Sequence, residues 1–330
     1  KVITSGFDST DLPPCVTGCT NPAQAVSLAD CVILPLPVTT DGSTINAPFS
    51  RVRITLDQVL NALHADQLLV GGQVSELMHK EVESRGLRIH DYFEREELKV
   101  QNAVPTSEGA IQLAMEELPV TISGAECLIT GYGRIGRVLS RLLIALGAHV
   151  TVAARKFSDL SWAEAQGCSS VELNQLANAG DFDVIFNTVP TLLFDRAVLA
   201  RLNRNTLLID LASRPGGVDF TAAAEMQIKT IWALSLPGRV APKSAGAIIK
   251  NTILNMIKEG VQCRVCGSAL PYPVPFAPLT GYCGWWKPYR KRGRRSPLSC
   301  PSMRRDWIHA SAGRRISRNG CGRSPAGNRC

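Results

Sequence analysis

Six consecutive residues, Gly131-Tyr132-Gly133-Arg134-Ile135-Gly136, have the types and spacing needed to hold a pyrophosphate. They follow the apolar run Glu126–Thr130 and open the amphipathic run Ile135–Leu146, inside a strand-turn-helix-strand unit of about 30 residues. Gly131 permits a tight turn, Gly133 lets the backbone approach the phosphates, and Gly136 lets the helix lie close to the strand. The start of that helix offers N–H groups and the positive end of a dipole, so Arg134 and Ile135 are counted among the cofactor contacts. The next apolar run ends in Ala153-Ala154-Arg155-Lys156. A site for NAD usually places Asp or Glu there, for the ribose hydroxyls. Here two cations stand where a 2′-phosphate would sit, so NADP is expected over NAD. The alternative is that Arg155 and Lys156 are solvated loop charges.

Three further stretches carry polar groups at the ends of apolar runs. Asn187-Thr188-Val189-Pro190 closes one run, and Thr188, Val189 and Pro190 are assigned to the nicotinamide end of the cofactor, an ordinary turn being the alternative. Asp210-Leu211-Ala212-Ser213-Arg214-Pro215-Gly216-Gly217-Val218-Asp219 closes another and enters a helix capped by Asp219. Asp210 and Ala212 are assigned to the cofactor. The forked guanidinium of Arg214 faces the same crevice and suits a substrate carboxylate. Lys243 then stands at the start of the last helix, where a cation opposes the dipole. That placement points to a role in binding a carboxylate or in acid–base chemistry. For both cations the alternative is a surface charge on a loop.

Elements that could position these groups follow from hydrophobic periodicity. Lys1–Thr4, Cys31–Pro35, Gln67–Val70 and Leu87–His90 read as strands, with helices over Leu56–Leu63 and Ser75–Ser84. Ser107–Leu118 reads as a helix with Ser107 as its N-cap and Glu108 in its first turn. Strands follow at Glu126–Thr130, His149–Ala154, Asp183–Asn187, Thr206–Leu211 and Ile228–Ala233, and a last helix spans Ala245–Lys258. The expected fold is α/β, with two Rossmann-like, doubly wound parallel-sheet domains, the C-terminal one binding NAD(P). The expected boundaries are 1–105 for the first domain, 106–120 for an interdomain helix, 121–240 for the NAD(P) domain and 241–260 for a helix returning to the first domain. The first domain reads as lacking its first strand–helix unit, and the chain, without an initial Met, as a fragment.

The net charge of +8 is unevenly spread. Residues 261–330 hold 14 Lys/Arg and one acid, Asp306, whereas residues 1–260 hold 22 Lys/Arg against 27 Asp/Glu. The tail also holds six of the 11 cysteines, among them Cys263-x-x-Cys266. Three readings of it compete: a basic nucleic-acid-binding arm, a zinc module, and shifted-frame translation of GC-rich DNA, which is preferred. No metal is expected elsewhere. Cys127 and Cys168 lie in apolar, strand-like surroundings and are expected to behave as small hydrophobes. No run reaches the roughly 20 apolar residues of a membrane span, and no apolar signal opens the chain; a cytoplasmic location is expected.

Arg214 and Lys243 give the chain a resemblance to the 2-hydroxyacid dehydrogenases. That family has a substrate-binding Arg after its fifth strand and a catalytic His before its final helix. Lys243 occupies the place of the His, and Trp232-Ala233-Leu234-Ser235 lacks the acid that pairs with it. Three runs are more specific: Val104-Pro105-Thr106-Ser107-Glu108-Gly109, Asp210 to Gly217, and Leu236-Pro237-Gly238-Arg239-Val240-Ala241-Pro242-Lys243-Ser244-Ala245-Gly246. They resemble the family of dipicolinate synthase A subunits, from about Lys1 to Gly260. The resemblance implies an NAD(P)-dependent dehydrogenase in the mother-cell cytoplasm of a sporulating bacterium. It would oxidise a dihydrodipicolinate-level precursor, derived from 4-hydroxy-tetrahydrodipicolinate, to dipicolinate. It further implies an oligomer working with the flavoprotein-like B subunit of dipicolinate synthase. Substrate contacts fall on Ser107, Glu108, Arg214, Lys243 and Ser244, with Lys243 or Glu108 as general base. Two alternatives stay open: a 2-hydroxyacid-dehydrogenase-like oxidoreductase and a non-catalytic NAD(P)-sensing regulatory subunit.

Overall fold

The structure is a computed structural model that describes residues 1–8, 10–178 and 180–259. The basic arm, the zinc module at Cys263 and Cys266, and the shifted-frame reading all lie outside the described residues.

In the first part, β1 (Val2–Thr4) pairs in parallel with β2 (Val16–Gly18), and α1 (Pro22–Ser27) follows. Then come β3 (Cys31–Ile33), α2 (Leu56–Asn61), β4 (Leu68–Gly71), α3 (Glu76–Ser84) and β5 (Ile89–Asp91). The strands β3-β4-β5 form a separate parallel sheet with β4 in the middle. Local chemistry sets the helix starts. Thr55 and Gln58 form a reciprocal capping box on α2, and the Ser75 hydroxyl accepts from Met78 N–H on α3. Buried Val32, Leu34, Val38, Val59, Leu60, Leu69 and Val82 make the core between these helices and the sheet.

The connecting helix corrects the sequence reading. It is α4 (Glu96–Glu117), so Ser107 is not an N-cap but a mid-helix residue. Pro105 lies inside the helix, where proline ordinarily costs about 3 kcal/mol. Tertiary burial outweighs that cost: Leu98, Ala103, Pro105, Gly109, Ala110 and Ala114 are all buried. Ser107, also buried, donates its hydroxyl to Ala103 O at 2.7 Å, and Thr106 does the same to Asn102 O at 2.7 Å. Such bonds to the preceding turn are how Ser and Thr satisfy themselves inside a helix.

After α4 come β6 (Glu126–Thr130), α5 (Arg134–Ala145), β7 (His149–Ala154), α6 (Phe157–Ala165) and β8 (Ser169–Glu172). Next are β9 (Val184–Asn187), α7 (Arg196–Leu199), β10 (Leu207–Asp210), α8 (Phe220–Glu225) and β11 (Lys229–Trp232). The sheet order is β8-β7-β6-β9-β10-β11, every pair parallel. The order reverses between β6 and β9, which opens a crevice at their carboxyl ends, the usual place for a dinucleotide. Cys127 and Cys168 are buried, and burial pushes the Cys127 thiol up to about 12.

Last come α9 (Leu236–Val240) and α10 (Pro242–Lys258). α10 starts three residues before the expected Ala245, with Pro242 in its first turn, where a missing N–H breaks no helical bond. Its Ile253 and Met256 pack with Val70, Tyr92 and Leu98, which brings the end of the chain onto β4 and α4. Arg95 adds a tie to Glu259 at 2.9 Å. Among the described residues no helix is long and apolar enough to cross a membrane.

Candidate functional site

The glycine turn joins β6 to α5. Gly131 has φ +89°, and a Cβ there would stand 2.5 Å from Thr188 Oγ1. A Cβ on Gly136 would stand 2.2 Å from Gly131 O, so only glycine lets α5 approach the turn this closely. Gly133 is different: a Cβ there meets nothing within 4 Å. Gly133 is the N-cap of α5 and no side chain caps the helix, so the donors of its first turn are left for a ligand. An open cradle edged by uncapped N–H groups fits a pyrophosphate. Ile135 is half-buried against the core beneath the turn. Arg134 forks onto Glu96, Nε–Oε1 2.7 Å and Nη2–Oε2 2.5 Å, tying α5 to the start of α4. That ion pair holds the Glu96 carboxyl below the usual carboxylate range. The Arg134 guanidinium, assigned to the cofactor from sequence, is thus committed to Glu96.

Beneath the crevice lies a buried polar chain. Thr130 Oγ1 donates to Asn187 Oδ1 at 2.6 Å, and Asn187 Nδ2 donates to Asp210 Oδ1 at 2.8 Å. Asp210 Oδ1 also accepts from Ala212 N at 3.0 Å, and Oδ2 accepts from Gly217 N at 2.8 Å. Thr130, Asn187 and Asp210 are each fully buried. The Asp210 carboxylate therefore points into the protein and shapes the loop, a correction to its assignment as a cofactor contact. Ala212 is buried under the same loop, with its N–H taken by Asp210. Asn187 was read only as part of a strand end; nothing in a single sequence marks it as the bridge between two strands.

Thr188 and Val189 are half-buried and Pro190 exposed at the end of β9, beside the glycine turn. Thr188 N and Oγ1 both donate to Thr130 O, at 3.0 and 2.8 Å. Arg155 and Lys156 are exposed just past β7, with no ion pair among the described residues. Arg214 is exposed on the loop after β10, its guanidinium carbon 5.9 Å from the Trp232 ring centre. Trp232 Nε1 donates to Ala212 O at 3.1 Å, so the ring that carries Arg214 is itself anchored to the loop. Lys243 and Ser244 are exposed in the first turn of α10.

Glu108 is not brought to this mouth. It lines an apolar groove of about 460 Å³ with Ile111, Met115, Leu142, Ala145 and Leu146. Leu142 lies eight residues into α5, about 12 Å along the helix from the glycine turn. The difference follows from α4 being continuous. With Ser107 facing inward, Glu108 is rotated about 100° around the helix and turns outward. Among the described residues no three His, Cys, Asp or Glu side chains gather as a metal site would require.

Residues 1–93 match the family described as the N-terminal domain of the dipicolinate synthase A subunit. Residues 95–227 match the D-isomer specific 2-hydroxyacid dehydrogenase, NAD binding domain. The dipicolinate synthase A subunit of Bacillus subtilis (strain 168) is 34% identical over 232 residues, 70% of this chain and 78% of the relative. The solved A chain of dipicolinate synthase from Bacillus subtilis superimposes with a TM-score of 0.72 at 32% identity, covering 78% of this chain and 87% of that one. The corresponding structure from Bacillus halodurans gives 0.73 at 30% identity, covering 78% and 89%. A transhydrogenase from Sinorhizobium meliloti, at 15% identity and a TM-score of 0.60 over 75% of this chain and 79% of that one, shares the fold alone.

Proposed function

We infer the reaction from one premise: the chain belongs to the family of dipicolinate synthase A subunits. Its second domain is a nicotinamide-dinucleotide-binding domain of the dehydrogenase kind, and the chain is an oxidoreductase. The proposal is that it oxidises a dihydrodipicolinate-level ring, formed from 4-hydroxy-tetrahydrodipicolinate, to dipicolinate during sporulation. The observation that carries this reading is Arg214. Its guanidinium rests on Trp232 at the carboxyl edge of the sheet and has no carboxylate partner among the described residues. A planar fork held in place but unpaired is suited to gripping a carboxylate of the substrate.

When bound, NAD(P)⁺ would accept a hydride from the ring. The chain's residues do the rest. Gly133 and the first N–H groups of α5 would hold the pyrophosphate, and Arg214 would fix one ring carboxylate. Loss of a hydride from the ring also releases a proton, which needs a base. Lys243 is proposed for it, since Glu108, the other candidate, lies along the outer groove. Ser244, exposed beside Lys243 in the first turn of α10, is proposed as a further substrate contact, whereas the Ser107 hydroxyl is bound to Ala103 O inside α4. Aromatisation favours the product, so the protein's main task is orientation. We place the chain in the mother-cell cytoplasm, as an oligomer working with the flavoprotein-like B subunit of dipicolinate synthase.

NADP is proposed as the cofactor because Arg155 and Lys156 are unpaired at the end of β7. Replacing both by alanine is expected to weaken NADPH binding about tenfold or more while leaving NADH unchanged. Equal losses for both nucleotides would remove the argument for a 2′-phosphate. The substrate assignment is tested by Arg214→Ala. KM for the ring substrate should rise about tenfold to a hundredfold, kcat should change less, and Arg214→Lys should recover only part. An unchanged KM would sink the carboxylate role.

A further inference from the structure

Among the described residues three non-glycine residues have positive φ: Gln73 at +58°, Gln227 at +60° and Ser235 at +58°. Gln227 directly follows the C-cap of α8, where a left-handed residue commonly ends a helix. Ser235 is the N-cap of α9. Gln73 has neither setting. It stands two residues past the carboxyl end of β4, before Ser75 caps α3. A side chain with a Cβ is held there only when its surroundings over-determine it.

What holds it is Asp91, the last residue of β5. One carboxylate oxygen accepts from Gln73 N at 3.1 Å and Phe93 N at 2.7 Å, and the other accepts from Val74 N at 2.7 Å. Gly72 N donates to Pro35 O at 3.2 Å. Gly72 itself is buried against Tyr92, whose ring atoms would lie 2.6–2.7 Å from a Cβ. The main-chain donors of Gly72, Gln73 and Val74 are therefore all turned inward. The loop's outward donor is the Gln73 amide, on an exposed residue with no partner among the described residues.

The loop also has a defined address. β4 is the middle strand, so its loop is flanked by those after β3 and β5. Leu36 and Phe93, from these two loops, border the same apolar cluster as Ile248 and Ile249 of α10. Lys243 lies in the first turn of that helix, five residues before Ile248. The carboxyl edge of the first sheet and the start of α10 thus belong to one packed unit.

We propose that Gln73 is a substrate-recognition residue contributed by the first domain, its side-chain amide donating to a carboxylate of the ring. The proposal rests on the dicarboxylate reading above and deepens it. Asp91 fixes the backbone of Gln73 and so acts as a positioning residue for its amide. A neutral donor suits this place, because Arg214 supplies a full charge to one carboxylate and Lys243 is reserved for the proton, which leaves the second carboxylate to be held by a hydrogen bond.

The test titrates pyridine-2,6-dicarboxylate, by calorimetry, into the full chain saturated with NADPH. Gln73→Ala and Gln73→Gly are each expected to weaken that binding about tenfold or more, with NADPH binding unchanged. Gln73→Gly should also keep or raise the melting temperature, because glycine relieves the positive φ. A Gln73→Gly protein of wild-type dicarboxylate affinity would make the conformation purely structural and overturn the proposal. A wild-type chain that binds NADPH but no pyridine-2,6-dicarboxylate would instead defeat the dicarboxylate reading, and the proposal with it.

Discussion

Replacing Asp210 by alanine is expected to lower the melting temperature by roughly 6–12 °C. The carboxylate is fully buried and accepts from Asn187 Nδ2, Ala212 N and Gly217 N, at 2.8, 3.0 and 2.8 Å. Alanine leaves three buried donors without an acceptor, each worth about 1–3 kcal/mol. A total near 3 kcal/mol, after partial relaxation, corresponds to about that shift for a protein of this size. Activity should fall further than stability accounts for, because the same loop carries Arg214. Asp210→Asn should be hardly milder: an amide nitrogen set against Gly217 N–H, or against Ala212 N–H and Asn187, opposes donor to donor. Thermal unfolding followed by circular dichroism measures the first effect. A shift under about 2 °C would mean that the buried carboxylate does not hold the loop.

The second large effect is expected at Gly136. A Cβ there stands 2.2 Å from Gly131 O, a main-chain atom that moves only with its peptide. Either α5 withdraws from β6 or the Gly131 peptide rotates, and both spoil the pyrophosphate cradle. Gly136→Ala should lose about a hundredfold or more in dinucleotide affinity, the scale that a displacement of about 1 Å produces at a positioned site, and should also lose stability. Gly133→Ala is the control, because its Cβ meets nothing within 4 Å. That variant should keep its melting temperature and still bind the dinucleotide poorly, since the methyl fills the space that the phosphates need. If Gly133→Ala binds NADPH as the wild type does, the cradle is not the phosphate site.

What the sequence made legible, and what it hid, divides along a physical line. Strands β6 and β7 are legible to the residue because each is rich in small and branched apolar residues that are buried in a parallel sheet, past an exposed polar first residue. The glycine turn is legible because Gly131 and Gly136 answer local steric demands and Gly133 leaves open space beside them. β8, with the sequence Ser-Ser-Val-Glu, has no apolar run, being an edge strand that is half-buried at most. α9 contains Pro237 and Gly238 and gives no helical period. α4 reads short because Ser107 has the type of an N-cap before a clear apolar stripe, whereas burial of Leu98, Ala103 and Pro105 carries the helix back to Glu96. Glu108 is assigned to the site by resemblance, which does not say which side of a continuous helix it occupies.

Within the candidate site, the placement of Arg214, Lys243, Arg155 and Lys156 at strand ends and a helix start is legible in sequence, and their roles are proposals. Their supports are not legible there. Trp232 under Arg214, Asn187 across to Asp210, and Glu96 on Arg134 are contacts between segments about 20 to 40 residues apart. No local pattern encodes such pairings. Asp210 shows the consequence: its position at a strand end was legible, but the inward direction of its carboxylate depends on partners on two other segments.

The proposed reaction, hydride transfer from the ring to give dipicolinate, is open to a direct test. The most direct measurement supplies the chain, together with the B subunit of dipicolinate synthase, with freshly made 4-hydroxy-tetrahydrodipicolinate and NADP⁺, and follows reduced nicotinamide and dipicolinate together. Both are expected to appear, in equal amounts. Reduced nicotinamide forming without dipicolinate, or dipicolinate forming at the same rate when the nucleotide is omitted, would contradict the proposed reaction.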